Sequence, residues 1–226
     1  MAEKVDYAAL KKGGFMRQKQ KGCFSLRIAV VGGNLTDAIN EGVKEGYTEG
    51  YLRKSVVSDP IERINTKDNT PAIIHTEIVG GDKVEMTVAP KGFGSENMSR
   101  VFMLKPADGI EGVKNAILTA VEDAGPNACP PMVVGVGVGG TFEKAAEMAK
   151  EALARNTEIV PEKEWVRNLE SEMLEKINKL GIGPAGLGGR VTALSVNVET
   201  YATHIAGLPV AINICCHVNR HTSRTI

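Results

Sequence analysis

The chain has 226 residues, with 27 basic and 27 acidic side chains and no net charge. That balance supplies no global field to draw it to nucleic acid or a membrane surface, and aromatics at 4% give few stacking platforms for bases. No apolar run approaches the roughly 20 residues needed to span a bilayer.

The N-terminus lacks an apolar signal core, so the cytoplasm is the expected compartment. There the four cysteines (Cys23, Cys129, Cys215, Cys216) are thiols or metal ligands rather than a disulfide framework.

Residues 1–22 carry Lys11, Lys12, Arg17, Lys19 and Lys21 between glycines and read as a solvated, partly mobile arm. Phe24 to Val31 reads as a strand closed by Gly32-Gly33. A helix is expected from Thr36 or Asp37, with Ile39, Val43, Tyr47 and Tyr51 repeating every four residues. It carries Gly42, Gly46 and Gly50 on a neighbouring stripe and stops before Asp59-Pro60. Asp68-Asn-Thr-Pro71 is turn chemistry. Ala72–Val79 and Lys83–Ala89, around Gly80-Gly81-Asp82, predict a β-hairpin. Residues 90–97 read as a glycine-rich polar loop and 111–124 as an amphipathic helix.

Met132–Val138 predicts a buried strand, followed by a helix over 142–155. A further helix is expected over 163–180, with Trp165, Leu169, Met173 and Ile177 on one face. Glycine-rich residues 181–189 connect to a strand over 190–198. Residues 199–205 predict a short helix that presents His204. Val210–Ile214 is a short apolar strand ending on Cys215, Cys216 and His217. Residues 1–30 stand apart as an atypical segment. From 31 to 226 no linker intervenes, so one α/β domain with a mixed sheet and packed helices is expected.

Cys129, in the rigid turn Gly125-Pro-Asn-Ala-Cys-Pro-Pro131, precedes one predicted strand, and Cys216 follows another. The chain therefore looks built to bring the two together. They lack C-x-x-C spacing, and from spacing alone buried inert thiols compete with ligands. Adjacent strand residues point to opposite faces, so one of Cys215 and Cys216 can face a site while the other packs in the core. Gly135-Val-Gly-Val-Gly-Gly140 fits G-x-G-x-x-G but lacks the strand-plus-acid that ribose binding needs about 20 residues on. Close packing or a substrate carboxylate are the other readings. Arg53 and Lys54 read either as a cationic helix end or as an anion site, and Lys91 as a surface charge.

Gly46-Tyr-x-x-Gly-Tyr-Leu-Arg-Lys-Ser55, Asp68-Asn-Thr-Pro-Ala72, Ala89-Pro-Lys-Gly-Phe-Gly-Ser-Glu-Asn-Met98, Cys129-Pro-Pro, Gly135-Val-Gly-Val-Gly-Gly-Thr-Phe-Glu-Lys-Ala145 and the His204–Cys216 tail occur in this order. Together they resemble the α subunit, or N-terminal domain, of class I iron–sulfur fumarases and L-tartrate dehydratases.

The resemblance implies a [4Fe–4S] cluster on three cysteines, one iron being open to substrate as a Lewis acid for reversible loss of water. It implies Cys129 and Cys216 as two ligands and Arg53 as the carboxylate-binding arginine. It also implies Gly92, Phe93 and Gly94 as a substrate-binding turn, His204 as the catalytic histidine, and no ligand role for Cys215. The Cys-Gln-Asp-Thr-Gly motif that carries the family's first ligand is absent, which leaves Cys23, in Lys-Gly-Cys-Phe-Ser, as candidate third ligand. The region before residue 30 is expected to be shortened or altered.

The activity implied is reversible dehydration of a C4 hydroxy-dicarboxylate, malate to fumarate or tartrate to oxaloacetate. A β subunit in a hetero-oligomer would supply the remaining catalytic groups. The rival reading is a cluster-free, inactive scaffold that still binds the β subunit.

Overall fold

Asn34 begins the first described helix: its side chain accepts a hydrogen bond from the Thr36 N–H at 3.0 Å, satisfying a donor that the first turn leaves orphaned. The structure, a computed structural model, describes residues 15–21, 34–81 and 83–226, which group into two compact units, 1–91 with 220–226 and 92–219. Both units combine helix and sheet, the α/β class that the sequence predicts. No helix among the described residues is long and apolar enough to cross a membrane. Cys23 and the strand expected over 24–31 lie outside the described residues.

In the first unit, helix α1 (Leu35–Glu49) packs Ile39 and Val43 against Met86 and Val88 of a four-stranded sheet. The strands are β1 (Phe15–Lys21), β2 (Ile74–Val79), β3 (Lys83–Ala89) and β8 (Thr222–Thr225), in the order β2-β1-β3-β8. β2 and β3 stand where the sequence puts them, yet they are not a hairpin. β1 lies between them, parallel to β2 and antiparallel to β3. Part of the expected solvated arm is therefore a central strand. α1 ends at Glu49, and Tyr51, expected on its buried face, has φ 50 and is 95% exposed.

The second unit is built on the sheet β4-β7-β5-β6: β4 (Arg100–Leu104), β7 (Leu208–Cys215), β5 (Met132–Gly139) and β6 (Ala193–Tyr201). β5 pairs parallel with β6 and antiparallel with β7, so the sheet is mixed, as expected. Along β5 the alternation of faces divides the layers. Met132, Val134, Val136 and Val138 meet helices α3 (Gly109–Ala124) and α5 (Glu164–Lys179). The opposite face receives helix α4 (Phe142–Ala152), whose Ala145 and Ala149 pack with Ala211 of β7.

The glycines of β5 serve that second contact. A Cβ on Gly135 would overlap the Ala149 carbonyl oxygen, and one on Gly137 would overlap that of Ala145. Close helix–strand packing thus accounts for the G-x-G-x-x-G spacing without a nucleotide.

Two expectations differ in this unit. The buried stripe of α5 is Val166, Leu169, Met173 and Ile177, while Trp165 is 43% exposed. A repeat of four drifts from the 3.6-residue turn, and Val166 keeps the stripe in phase where Trp165 does not. The helix expected over 199–205 is absent, because pairing with β5 carries β6 as far as Tyr201, opposite Gly139.

Candidate active site

Both cysteines of interest lie at one end of the second unit's sheet. The register sets Val133 at the start of β5 beside Cys215 at the end of β7. Cys215 is 3% exposed and packs against Val133 and Leu153. Cys216, one residue on, leaves that core and is half-buried. Cys129 ends a short 3-10 turn (Gly125–Ala128), in left-handed backbone at φ 52, ψ 62, and is exposed. Its N–H donates to the Pro126 carbonyl at 3.1 Å. Its own carbonyl accepts from the His217 N–H at 3.3 Å and lies 3.1 Å from His217 Nδ1.

The segment carrying Cys216 is thus tied directly to Cys129. The glycine connection after α5 braces the same turn: the Ala185 N–H donates to the Pro130 carbonyl at 2.8 Å, and a Cβ on Gly186 would overlap Pro126.

The turn at Gly92 reaches the same place. A Cβ built on Gly92 would lie 3.9 Å from Cys216 Sγ, in ordinary contact. The expected loop carries a four-residue helix, α2 (Phe93–Glu96), with Gly92, Phe93 and Gly94 exposed. Ser95 Oγ donates to the Gly92 carbonyl at 3.0 Å. Glu96 then anchors the turn: Oε1 pairs with Lys150 of α4, and Oε2 accepts from the buried Asn213 amide of β7 at 3.1 Å. Asn213 also donates to Ser99 Oγ at 3.1 Å, and that oxygen accepts from the Ile214 N–H. A glycine turn, a helix and the cysteine-bearing strand are pinned to one another through a single carboxylate.

His204 is not brought to this end. It sits exposed in the turn between β6 and β7, with Thr203 Oγ1 donating to the Gly140 carbonyl at the far end of β5. Between this turn and Cys216 runs all of β7, whose eight residues extend for about 23 Å. His204 Nδ1 accepts from the Ala206 N–H at 3.2 Å, which puts the proton of a neutral ring on Nε2.

Arg53 belongs to the first unit, exposed on the segment after α1. That segment is held by side-chain amides: Asn65 donates to the Lys54 carbonyl at 3.0 Å, and Asn69 Oδ1 accepts from the Ser55 N–H at 2.7 Å and the Val56 N–H at 3.2 Å. Asp68, next to it, accepts from the Thr70 N–H and hydroxyl, which hold its carboxyl below the usual range. The Asp68-Asn-Thr turn is therefore the support of the arginine segment.

A profile of the fumarate hydratase (fumerase) family matches residues 24–225. The chain belongs to that family. The enzyme that gives the family its name, fumarate hydratase, is a hydro-lyase. A Methanocaldococcus jannaschii protein, provisionally named an L(+)-tartrate dehydratase subunit alpha, is 46% identical over 197 residues, 85% of this chain and 69% of its own length. The L(+)-tartrate dehydratase subunit alpha of Escherichia coli K12 is 31% identical over 192 residues, covering 83% of this chain and 63% of the E. coli protein.

In this fumarase-family chain the residues that sequence reasoning missed are supports. Glu96, Lys150, Asn213 and His217 hold the cysteine end together, and Asn65 and Asn69 hold the segment of Arg53. Asn213 had a legible signal, a lone amide inside the apolar run of β7, since a buried amide needs partners. Lys150 had none, because it is one of several charges on an amphipathic helix. Among the described residues no group of three or more His, Cys, Asp or Glu is arranged to hold a metal ion.

Proposed function

We propose that this chain is the α subunit of an iron–sulfur hydro-lyase that reversibly dehydrates a C4 hydroxy-dicarboxylate, together with a β subunit. The observation that supports the reading is that His217, the residue after Cys216, is hydrogen-bonded to the Cys129 carbonyl, with the Gly92 turn against the Cys216 sulfur. Two accessible thiols on adjoining rigid segments suit a soft metal group. Cys129 and Cys216 would hold a [4Fe–4S] cluster, with Cys23 as candidate third ligand. When bound, the cluster supplies a Lewis acid for the departing hydroxyl. Thiolate ligands suit a reducing compartment, the cytoplasm.

The chain's own residues would bind and orient. The exposed Gly92–Gly94 turn offers backbone N–H groups to a carboxylate beside the thiols. Arg53, assigned by its motif, would take a carboxylate through its planar fork. Loss of water also needs a base for the proton on the neighbouring carbon, and we assign that base to the β subunit. With β7 between His204 and the cysteines, His204 would serve such a site from another chain of the assembly. Malate and fumarate are the first substrates to try. The names of the relatives favour tartrate as the second reading.

The test is anaerobic reconstitution of the chain co-expressed with its β subunit. A broad visible absorption band, lost in Cys129→Ser and in Cys216→Ser, is expected, with hydration of fumarate or formation of oxaloacetate from tartrate. Loss of the band in Cys23→Ser identifies the third ligand. A colourless wild-type complex overturns the reading and leaves a cluster-free scaffold.

A further inference from the structure

We infer that His217 is a positioning residue that sets the separation of the Cys129 and Cys216 thiols. The inference rests on the reading of those thiols as a ligand pair.

One residue makes both contacts to the Cys129 carbonyl: the His217 N–H at 3.3 Å and ring Nδ1 at 3.1 Å. A carbonyl oxygen only accepts, so this geometry places the proton on Nδ1. His217 directly follows Cys216 in the chain. Whatever fixes His217 against Cys129 therefore also fixes where the Cys216 side chain leaves the backbone.

Cys129 depends on such help. Its left-handed backbone is one that a non-glycine residue keeps only where surrounding contacts hold it. Pro126 and Gly186 brace the turn before it. On the segment after β7, the Asn219 amide donates to the Leu153 carbonyl at 2.8 Å and fixes the course of the chain two residues beyond His217. The imidazole joins these two braced segments at the thiols. It orients ligands without being one, and loss of such a contact typically weakens metal affinity by about 10- to 100-fold.

The test uses the full chain, reduced and metal-free, titrated with Cd2+ and followed by the ultraviolet absorption of cadmium–thiolate bonds. Wild type is expected to bind one ion through both the Cys129 and the Cys216 thiolates, with or without Cys23, and Cys129→Ser or Cys216→Ser to lose that complex. His217→Ala and His217→Gln should bind about tenfold more weakly or worse. His217→Asn, whose amide nitrogen falls near the place of ring Nδ1, should recover the wild-type affinity. Melting temperatures of the His217 variants should match wild type, which separates positioning from loss of fold.

A His217→Ala chain that binds as tightly as wild type overturns the inference, as does a His217→Asn chain as weak as His217→Ala. A wild-type chain that holds Cd2+ through a single thiolate removes the ligand pair itself, a result distinct from an unaffected His217→Ala.

Discussion

A methyl group on Gly137 would overlap the Ala145 carbonyl oxygen and lie 2.8 Å from the Ala149 nitrogen, both backbone atoms that cannot swing away. Gly137→Ala should therefore push α4 from the sheet and cost roughly 1–3 kcal/mol, read as a lower denaturation midpoint. Gly94→Ala is the contrast: its Cβ would meet nothing within 4 Å, so stability should change by less than about 0.5 kcal/mol.

Asn69→Ala removes an acceptor that is 9% exposed from two backbone N–H groups, and should cost about 1–3 kcal/mol. Acid should act through Asp59 and Asp68. Backbone N–H groups of Glu62 and Ile61 hold Asp59 low, and Thr70 does the same for Asp68. A depressed carboxyl contributes fully above its unfolded value, about 3.9, and loses that contribution as pH falls through the lower folded value. Wild type should thus melt above Asp68→Asn at neutral pH, and the gap should close on acidification below about pH 4. A gap that persists in acid would count against this cause.

Between elements, the Glu96 carboxylate joins α2, α4 and β7. Glu96→Ala should take an acceptor from the buried Asn213 amide and break the link between α2 and β7, at a cost of about 1–3 kcal/mol. It should also loosen the Gly92 turn over Cys216. Alkylation mapped by mass spectrometry should then speed at Cys216 and stay unchanged at Cys129. Equal rates in wild type and variant would show that the turn does not depend on this carboxylate.

Elements whose signal is local were legible in the sequence. The apolar runs of β5 and β7 and the stripe of α3 identify themselves, and turn residues bound them. The cysteine end was legible too, since Cys129 precedes one such strand and Cys216 follows the other. What could not be read depends on partners distant in the chain. Nothing in residues 72–89 reports that β1 enters between β2 and β3. Nothing in residues 199–205 reports that pairing with β5 overrides a helix.

For the molecule as a whole, the second unit is one continuous span, 92–219, whereas the first draws on both sides of it. β8 pairs with β3 over Glu85–Val88, and Val84 and Ile226 exchange backbone hydrogen bonds at 3.0 and 2.8 Å. Removing residues 222–226 should bare the β3 edge, an unpaired ladder open to other strands. The truncated chain should aggregate more readily and exchange the amide hydrogens of residues 83–89 faster. Protection of β5 and β7 should be unchanged, and a general loss there would contradict two separate cores.

That interleaving also has a meaning in time. While the protein is being made, about 130 residues must be added between β3 and the strand that pairs with it, on the order of ten seconds or more at cellular rates of synthesis. All of 92–219 has been synthesised before β3 can gain its second neighbour. Most of the second unit is thus made while the other sheet still waits for its edge, and through that interval β3 is a surface for a chaperone to shield.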